Sequence, residues 1–286
     1  MKNLILRSVS GILYVGLIIL SLLAGPSFFC VLCMTFGVLS IAELKKLMAH
    51  GSPINSFTFG IDVFGILCIT SLPLWKLMHL SDTTLLLLSA IVFFVFYILT
   101  RMLAALYDKR PGASSDTAAS ILGITYIGAG ILAAQALSLY STHLVILIFA
   151  FIWLNDTGAF IAGSLLGKHK MFPRLSPKKS WEGFAGGMLV VMLTSLILGY
   201  TGLTMHLLGP LPYFGIGPYE IVYVLPVIVV AFATWGDLFE SMLKRNAGAK
   251  DSGKLIPGHG GILDRIDSML FVMPAAALMI IFCLLL

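Results

Sequence analysis

Long apolar runs alternate with short polar segments along the whole chain. A membrane-spanning helix needs about 20 predominantly apolar residues, and runs near that length recur here. The polar segments between the runs are no longer than membrane loops. We therefore predict an all-α, polytopic membrane bundle with one domain over residues 1–286, in which residues 1–115 form scaffold spans and residues 116–286 carry the site. The nine predicted spans lie near residues 9–24, 26–47, 57–78, 83–106, 117–138, 143–166, 182–204, 219–242 and 265–286.

Composition and charge agree with a membrane protein. Only 11% of the residues are charged, whereas a soluble domain has about 25%. Of the 18 Lys and Arg residues, all except Lys76 fall on one side of the nine-span arrangement. The positive-inside rule then places the N-terminus and these loops in the cytoplasm and the C-terminus outside. This topology explains the net charge of +5, so we expect no nucleic-acid partner.

The segment 241–267 is polar, basic and glycine-rich within an otherwise apolar chain. Glycines let backbone N–H groups approach an anion closely, and Lys and Arg bind phosphate. Carboxylates beside such cations indicate a hard divalent metal, since Mg²⁺ is typically held by one or two carboxylates plus substrate phosphates. The alternative is a solvated loop between two helices. The charged members are Lys244, Arg245, Lys250, Asp251, Lys254, Asp264, Arg265 and Asp267.

Helical spacing groups part of these residues. Residues three and four apart are neighbours on a helix, so one face at the end of the eighth span carries Asp237, Glu240, Ser241 and Lys244. Asp264 and Asp267 repeat this spacing where the ninth span begins. We therefore predict that Asp237 and Asp264 meet across a helical hairpin and hold a metal. The alternative is a set of surface charges at two helix ends.

A second polar concentration surrounds the loop after the sixth span. Asp156 lies well before the basic loop, and a carboxylate at membrane depth needs a partner, which favours a site role. The run Ser176-Pro-Lys178-Lys179-Ser180 directly precedes a helix, and a helix N-terminus attracts anions. The same basic loop can instead bind anionic lipid headgroups without chemistry.

Three other acidic residues carry separate expectations. Glu43 closes the second span beside Lys45 and is expected to be interfacial, and the alternative is that it reaches a shared site. Asp62, early in the third span, either faces water at the membrane boundary or is a buried functional carboxylate. Asp116 precedes an apolar run and is expected to be a helix N-cap.

Three sequence elements together resemble the phosphatidate cytidylyltransferases (CDP-diacylglycerol synthases). They are the NDTGAF segment that begins at Asn155, the SPKKSWEG segment that begins at Ser176, and the long signature over 241–267. Within the signature, Ser241-x-Leu-Lys-Arg, Lys-Asp-x-Gly and Pro-x-His-Gly-Gly-Ile-x-Asp-Arg-Ile-Asp follow the family pattern without departure. The resemblance covers roughly 155–187 and 235–267.

The resemblance implies a reaction and its partners. Phosphatidic acid attacks the α-phosphate of CTP, which releases pyrophosphate and leaves CDP-diacylglycerol. Mg²⁺, as one or two cations, is the implied cofactor, and the acyl chains reach the site from the surrounding membrane lipids. The compact chain favours a bacterial plasma (inner) membrane with the site facing the cytoplasm, and its many small residues permit a homodimer.

The resemblance also implies residue roles. As metal ligands we predict Asp237, Asp264, Asp267 and Asp156. As catalytic residues we predict Asp237, Asp264, Lys244, Arg245 and Asp267. As substrate-binding residues we predict Ser176, Lys178, Lys179, Ser241, Lys250, Asp251, Lys254, His259, Gly260, Gly261 and Arg265.

Two other functions stay open at this point. A CTP-dependent lipid kinase would use a similar site but transfer the γ-phosphate to a polyprenol-type alcohol. An ion-coupled transporter would use intramembrane carboxylates as ion sites. Transporters commonly place such sites at the midplane between internal repeats, whereas here the acids cluster with basic loops at one face.

Overall fold

A computed structural model describes residues 2–49, 53–78, 83–110, 112–202, 220–256 and 260–285. Within these residues the structure is helical apart from one short β-hairpin, an isolated bridge between Ile256 and Gly260, and the connecting turns. In chain order the elements are α1 (Lys2–Ala24), α2 (Pro26–Met48), α3 (Ser56–Leu77), α4 (Thr83–Tyr107), α5 (Ala113–Gly123), a π-helical turn (Ile124–Gly128), α6 (Ala129–Tyr140), α7 (Thr142–Leu166), β1 (Lys170–Phe172), β2 (Ser176–Ser180), α8 (Trp181–Tyr200), a second π-helical turn (Glu220–Val224), α9 (Leu225–Asn246) and α10 (Leu263–Leu285).

The predicted all-α, polytopic class is confirmed. Within the described ranges, eight helical segments are long and apolar enough to cross a membrane, and Val9–Ala24 is a shorter apolar helix. Each of the nine predicted spans coincides with one of these segments. The fifth span differs in detail, because it begins at Ala113 and contains the π-helical turn. The predicted sides of the two termini stay a prediction.

The chain divides into two compact units. Unit 1 contains residues 1–139 and 243–266, and unit 2 contains residues 140–242 and 267–286. Helices α9 and α10 each contribute residues to both units. The single domain expected from the sequence stays a prediction.

In unit 1, α2 is the central helix and packs against α1, α3 and α5. Small residues allow the close approach. A Cβ on Gly123 would overlap the Ile41 side chain of α2, and a Cβ on Gly37 would lie 2.9 Å from Ile66 of α3. Ile41, Ile66 and Ile131 are fully buried in this core.

A buried charge network also joins the helices of unit 1. Asp62 of α3 pairs with Lys45 of α2 at 2.5 Å and with the Arg101 Nε of α4 at 3.0 Å. Asp116 of α5 pairs with Lys45 at 2.9 Å and with Arg101 at 3.2 Å. Tyr97 donates a hydrogen bond to Asp62 as well. Two cations and two carboxylates therefore balance inside the bundle, as buried charges require.

The position of Asp116 corrects one expectation. The N-cap of α5 is Gly112, with a φ of 99°, and Asp116 lies inside the first turn. There its carboxylate forms ion pairs with Lys45 and Arg101 and accepts a hydrogen bond from Thr58. The distant cations of α2 and α4, which sequence spacing does not reveal, decide its role.

In unit 2, α7 and α8 pack along a seam of small residues. A Cβ on Gly186 would overlap the Cβ of Ala162, and a Cβ on Gly183 would lie 2.9 Å from the Ala159 carbonyl oxygen. A Cβ on Gly187 would overlap the Asn155 amide oxygen. Such small residues bring two membrane helices into backbone contact. The seam fixes the start of α8 beside the second half of α7.

A β-hairpin connects α7 to α8, where the sequence predicts only a loop. Strands β1 and β2 pair antiparallel, with Lys170 opposite Ser180 and Phe172 opposite Ser176. Ser180 then caps α8, because its hydroxyl accepts a hydrogen bond from the Gly183 N–H at 3.1 Å. The hairpin thus delivers Lys178 and Lys179 directly before the helix N-terminus.

Candidate active site

A pocket in unit 2, which we call the hairpin pocket, collects polar residues from three elements. Its volume is about 280 Å³. The polar wall combines Asp156 of α7, the two lysines of β2, and Asp237 of α9, beside apolar groups. Its lining is Asn155, Asp156, Ala159, Phe160, Met171, Lys178, Lys179, Ser180, Gly183, Phe184, Thr234 and Asp237.

Charge complementarity orders one side of the hairpin pocket. The Lys179 ammonium lies 2.8 Å from the Asp237 carboxylate and donates to the Thr234 carbonyl oxygen at 3.2 Å. Ser241, one turn further along α9, donates to the other Asp237 oxygen at 3.2 Å. The Asp237 side chain keeps 38% of its surface exposed. The pocket therefore presents a held but accessible carboxylate beside two ammonium groups.

A second group of predicted residues lies in unit 1, and we call it the glycine-loop cluster: Lys244, Ser252, Gly260, Gly261 and Asp264. The Lys244 ammonium lies 2.6 Å from the Asp264 carboxylate. The other Asp264 oxygen accepts from the Ser252 N–H at 2.9 Å and the Gly261 N–H at 2.8 Å. Asp264 is consequently held by one cation and by loop N–H groups.

Glycine is required at two positions of this cluster. Gly260 has a φ of 83°, a left-handed conformation that favours glycine. A Cβ at Gly260 would overlap the Asp264 carboxylate, and a Cβ at Gly261 would overlap Ser252 Oγ. The glycines let the loop close over Asp264, which gives a physical reason for the Gly-Gly pair in the sequence.

The carboxylates differ in how well they fit a magnesium ion. Asp156 and Asp237 are exposed oxygen donors that line one pocket, and one or two carboxylates plus substrate phosphates are the usual Mg²⁺ ligands. The Asp264 side chain is instead only 6% exposed and is enclosed by Lys244 and the loop N–H groups. Among the described residues, no three His, Cys, Asp or Glu side chains form a group that could hold a metal ion. Asp156 and Asp237 are therefore more accessible to an ion than Asp264 is.

The remaining predicted residues are placed individually. Arg245, Lys250, Asp251 and Lys254 are exposed. Arg265 is half-buried, and its carbonyl oxygen accepts a hydrogen bond from Tyr14. Asp267 accepts from its neighbouring Ser268 N–H at 2.7 Å, and Ser176 begins β2, outside the pocket lining.

The predicted site residues fall into two separate groups within the part of the chain that the structure describes. His259 lies outside the described residues. Asp237 belongs to unit 2 and Asp264 to unit 1, so their predicted meeting across a helical hairpin stays a prediction. The hairpin pocket brings Asp156, Lys178, Lys179 and Asp237 together, and the glycine-loop cluster brings Lys244, Gly260, Gly261 and Asp264 together.

The sequence left two roles open for Glu43, an interfacial position and a reach into a shared site. Glu43 is buried and accepts hydrogen bonds from Ser252, Ile262 and Leu263. Its interfacial position stays a prediction. Sequence reasoning missed Ser252 and Thr234, because neither stands out among the polar residues of its segment.

These observations define the class of the protein. It is a polytopic α-helical membrane protein with a polar pocket that is lined by both acidic and basic side chains. The profile of the cytidylyltransferase family matches residues 5–283. The chain therefore belongs to the cytidylyltransferase family.

Curated relatives carry a more specific name. The chain is 37% identical over 177 residues to the phosphatidate cytidylyltransferase of Staphylococcus saprophyticus. It is 35% identical over 175 residues to proteins of the same name from Staphylococcus haemolyticus and Staphylococcus aureus. These alignments cover 61% of this chain and 63% of each relative.

Proposed function

We propose that this protein is a phosphatidate cytidylyltransferase, which transfers CMP from CTP to phosphatidic acid and yields CDP-diacylglycerol and pyrophosphate. Membership of the cytidylyltransferase family and the similarity to relatives named phosphatidate cytidylyltransferase support this activity. The observation that carries the proposal is the hairpin pocket, where Lys178 and Lys179 face Asp156 and Asp237 beside apolar Phe160 and Phe184.

The reaction suits these residues. One oxygen of the phosphatidate monoester forms a bond to the α-phosphorus of CTP, and the bond from that phosphorus to the bridging oxygen of the β-phosphate breaks. The second pKa of a phosphate monoester is near 6, so the nucleophile is already anionic at neutral pH and needs no strong general base. The difficulty is the approach of two polyanions, which Lys178 and Lys179 ease by neutralising phosphate charge.

Magnesium is part of the proposal. When bound, Mg²⁺ would neutralise phosphate charge and orient an in-line displacement. Asp156 and Asp237 would hold it from the hairpin pocket, with the predicted ligands Asp264 and Asp267 as further candidates. Lys179 fixes the Asp237 carboxylate by its ion pair, so the carboxylate is oriented before substrate arrives.

We call the segment between α9 and α10 the glycine loop. Its basic residues would bind the remaining phosphate charge. Lys250 and Lys254 are exposed and free to reach a polyanion in water, and Lys is a mobile point charge for phosphate. We further propose that the site faces the cytoplasm from a bacterial plasma membrane, since the basic loops follow the positive-inside rule.

The test uses purified protein in detergent with dioleoyl phosphatidic acid, CTP and Mg²⁺, and measures pyrophosphate and CDP in parallel. We expect Mg²⁺-dependent pyrophosphate together with a CDP-lipid. CDP formed only after addition of a lipid alcohol would instead identify a kinase that acts at the γ-phosphate. Protein that is folded but forms neither product would contradict nucleotidyl transfer, and ion-coupled transport would then be measured.

A further inference from the structure

The Glu43 carboxylate of α2 binds the glycine loop of unit 1 from the side. It is 7% exposed and accepts hydrogen bonds from Ser252 Oγ at 2.9 Å, the Ile262 N–H at 3.0 Å and the Leu263 N–H at 2.9 Å. Leu263 begins α10, and the first N–H groups of a helix lack partners within the helix. Glu43 thus caps α10 from a residue 220 positions away in the chain.

The loop is shaped to receive this carboxylate. A Cβ on Gly253 would lie 2.5 Å from one Glu43 oxygen, and a Cβ on Gly261 would overlap the other. Both glycines belong to the segment that the sequence singles out. Their lack of side chains leaves the space that Glu43 occupies, so the glycine pattern serves a contact within the protein as well as the approach to an anion.

Ser252 connects Glu43 to Asp264. Its hydroxyl lies 2.9 Å from a Glu43 oxygen and 3.0 Å from an Asp264 oxygen, and its N–H donates to Asp264. A hydroxyl has one proton, so Ser252 donates to one carboxylate at a time. Asp264 in turn holds the Lys244 ammonium. A continuous set of contacts therefore runs from Glu43 through Ser252 to Asp264 and Lys244.

We propose that Glu43 is a positioning residue for nucleotidyl transfer: it fixes the glycine loop and the start of α10, and thereby orients Asp264 and Lys244. The proposal rests on the proposed function, in which Asp264 and Lys244 belong to the reacting group. Glu43 itself acts through Ser252 and α10 and does not need to touch substrate.

The first measurement does not depend on activity. Hydrogen–deuterium exchange of residues 247–256 and 260–264 is followed in detergent without nucleotide or metal. Glu43→Ala is expected to speed exchange there by at least about tenfold, because it removes the acceptor of two backbone N–H groups. Ile41→Ala is the matched control, since it leaves a cavity on the same helix at a side chain that packs toward Gly123 of α5. Exchange in the loop that is unchanged by Glu43→Ala would overturn the proposal.

The second measurement separates positioning from mere stability. Glu43→Gln keeps the size of the side chain and one acceptor oxygen. It is expected to lower kcat about tenfold, and Glu43→Ala is expected to lower kcat further. Both KM values should change by less than about threefold, because the residue contacts no substrate. Adding Ser252→Ala to Glu43→Gln is expected to lower kcat little further, since both substitutions remove the same contacts. An unchanged kcat in Glu43→Gln, or fully additive losses, would count against positioning through Ser252.

Failure of the proposed function gives a different result. In that case the wild-type protein forms no CDP-lipid, while the exchange measurement still reports whether Glu43 orders the loop. If Glu43→Ala does not fold, Glu43→Gln supplies both measurements.

Discussion

At the residue scale, Asp237 is the carboxylate on which the proposed chemistry depends most. Its side chain is 38% exposed and is oriented by Lys179. A carboxylate is also the ligand type that holds Mg²⁺ together with substrate phosphates. Asp237→Asn keeps the size of the side chain and an oxygen for Ser241 but removes the charge. We expect kcat/KM to fall by at least about 100-fold, the size of effect that follows loss of a preorganised charge-stabilising group.

The comparison for Asp237→Asn is Asp108→Asn. Asp108 also pairs with a cation, Arg110 at 2.6 Å, but lies in the loop after α4 in unit 1. Rates are measured with saturating and limiting CTP, and folding is checked by size-exclusion elution. Equal activity in the two variants would exclude Asp237 from the reaction.

Lys178 permits a separate test of anion binding. It lines the hairpin pocket and is exposed, and the pair with Asp237 belongs to its neighbour Lys179. Lys178→Ala should therefore raise the KM for one of the two substrates about tenfold or more, as expected for loss of a hydrogen bond to a charged group. The melting temperature should stay nearly constant.

Lys170→Ala is the matched control for Lys178→Ala, because Lys170 is an exposed lysine of the same hairpin but does not line the pocket. We expect it to leave both KM values within about twofold. If both lysine variants weaken binding equally, the hairpin acts as a general basic surface for anionic lipid and not as a phosphate site.

Residue types and spacing predicted much of the candidate site. Asp156, Lys178, Lys179 and Asp237 do line one pocket, because polar groups in an apolar chain concentrate where water or charged ligands must enter. The sequence could not supply the partners of Glu43, which lie more than 200 positions away. Local patterns carry no information on which distant helix covers a loop.

At the element scale, the seam between α7 and α8 makes a prediction about size complementarity. In Gly186→Ala the new Cβ would overlap the Cβ of Ala162, so we expect a loss of about 1–3 kcal/mol, the usual cost of overpacking. Ala162→Gly in the same protein removes the obstacle. The remaining neighbours are the Gly158 carbonyl oxygen at 3.3 Å and the Cα of residue 162 at 3.6 Å. The double variant Gly186→Ala with Ala162→Gly should regain most of the lost stability.

The seam is tested by thermal unfolding with a thiol-reactive dye, which suits this protein because Cys30 and Cys33 are buried free thiols. Gly60→Ala serves as the control, since it is helical and a Cβ there meets nothing within 4 Å. We expect that variant to be neutral or slightly more stable. A double variant as unstable as Gly186→Ala alone would show that the two helices do not meet at these residues.

The charge network of unit 1 gives a second prediction at this scale. Asp62 is fully buried and binds Lys45, Arg101, Tyr97 and Ser120. Asp62→Ala leaves two buried cations short of one partner, so we expect a loss of about 3–5 kcal/mol. Its multiple partners explain why a carboxylate inside an apolar span is tolerated.

The double variant Lys45→Met with Asp62→Leu checks that interpretation. It leaves Arg101 paired with Asp116 at 3.2 Å, so charge stays balanced. We expect it to be clearly more stable than Asp62→Ala, because replacing a buried ion pair by apolar residues is often neutral. The same thermal unfolding measurement applies. If Asp62→Ala keeps its stability but loses activity, Asp62 belongs to the chemistry instead of the scaffold.

The whole molecule shows why the spans were predictable and the hairpin was not. Hydrophobic runs report the bilayer directly, since every span must bury its backbone polar groups in its own helix. The boundaries of α2, α3, α4 and α7 therefore agree with the sequence to within one residue. The strands β1 and β2 are three and five residues long and exposed, so no period of apolar residues marks them.

The same scale carries the prediction of topology, which depends on whether α1 crosses the membrane. Helix α1 covers Lys2–Ala24, but its apolar part, Val9–Ala24, is shorter than the other eight segments. Nine crossings place the two termini on opposite sides, whereas eight place them on the same side. The distribution of Lys and Arg agrees with nine, because counting α1 puts every basic residue except Lys76 on one face.

Fusions at the two ends test this count in bacterial cells. We expect green fluorescent protein to fluoresce at the N-terminus and not at the C-terminus, and alkaline phosphatase to be active only at the C-terminus. If neither the N-terminal nor the C-terminal fusion fluoresces, the number of crossings is even and α1 does not cross the membrane. In that arrangement the loop before α8 and the glycine loop would still share one face, since both follow α1 and are separated from each other by the two spans α8 and α9. The fusion at the C-terminus therefore decides which face that is.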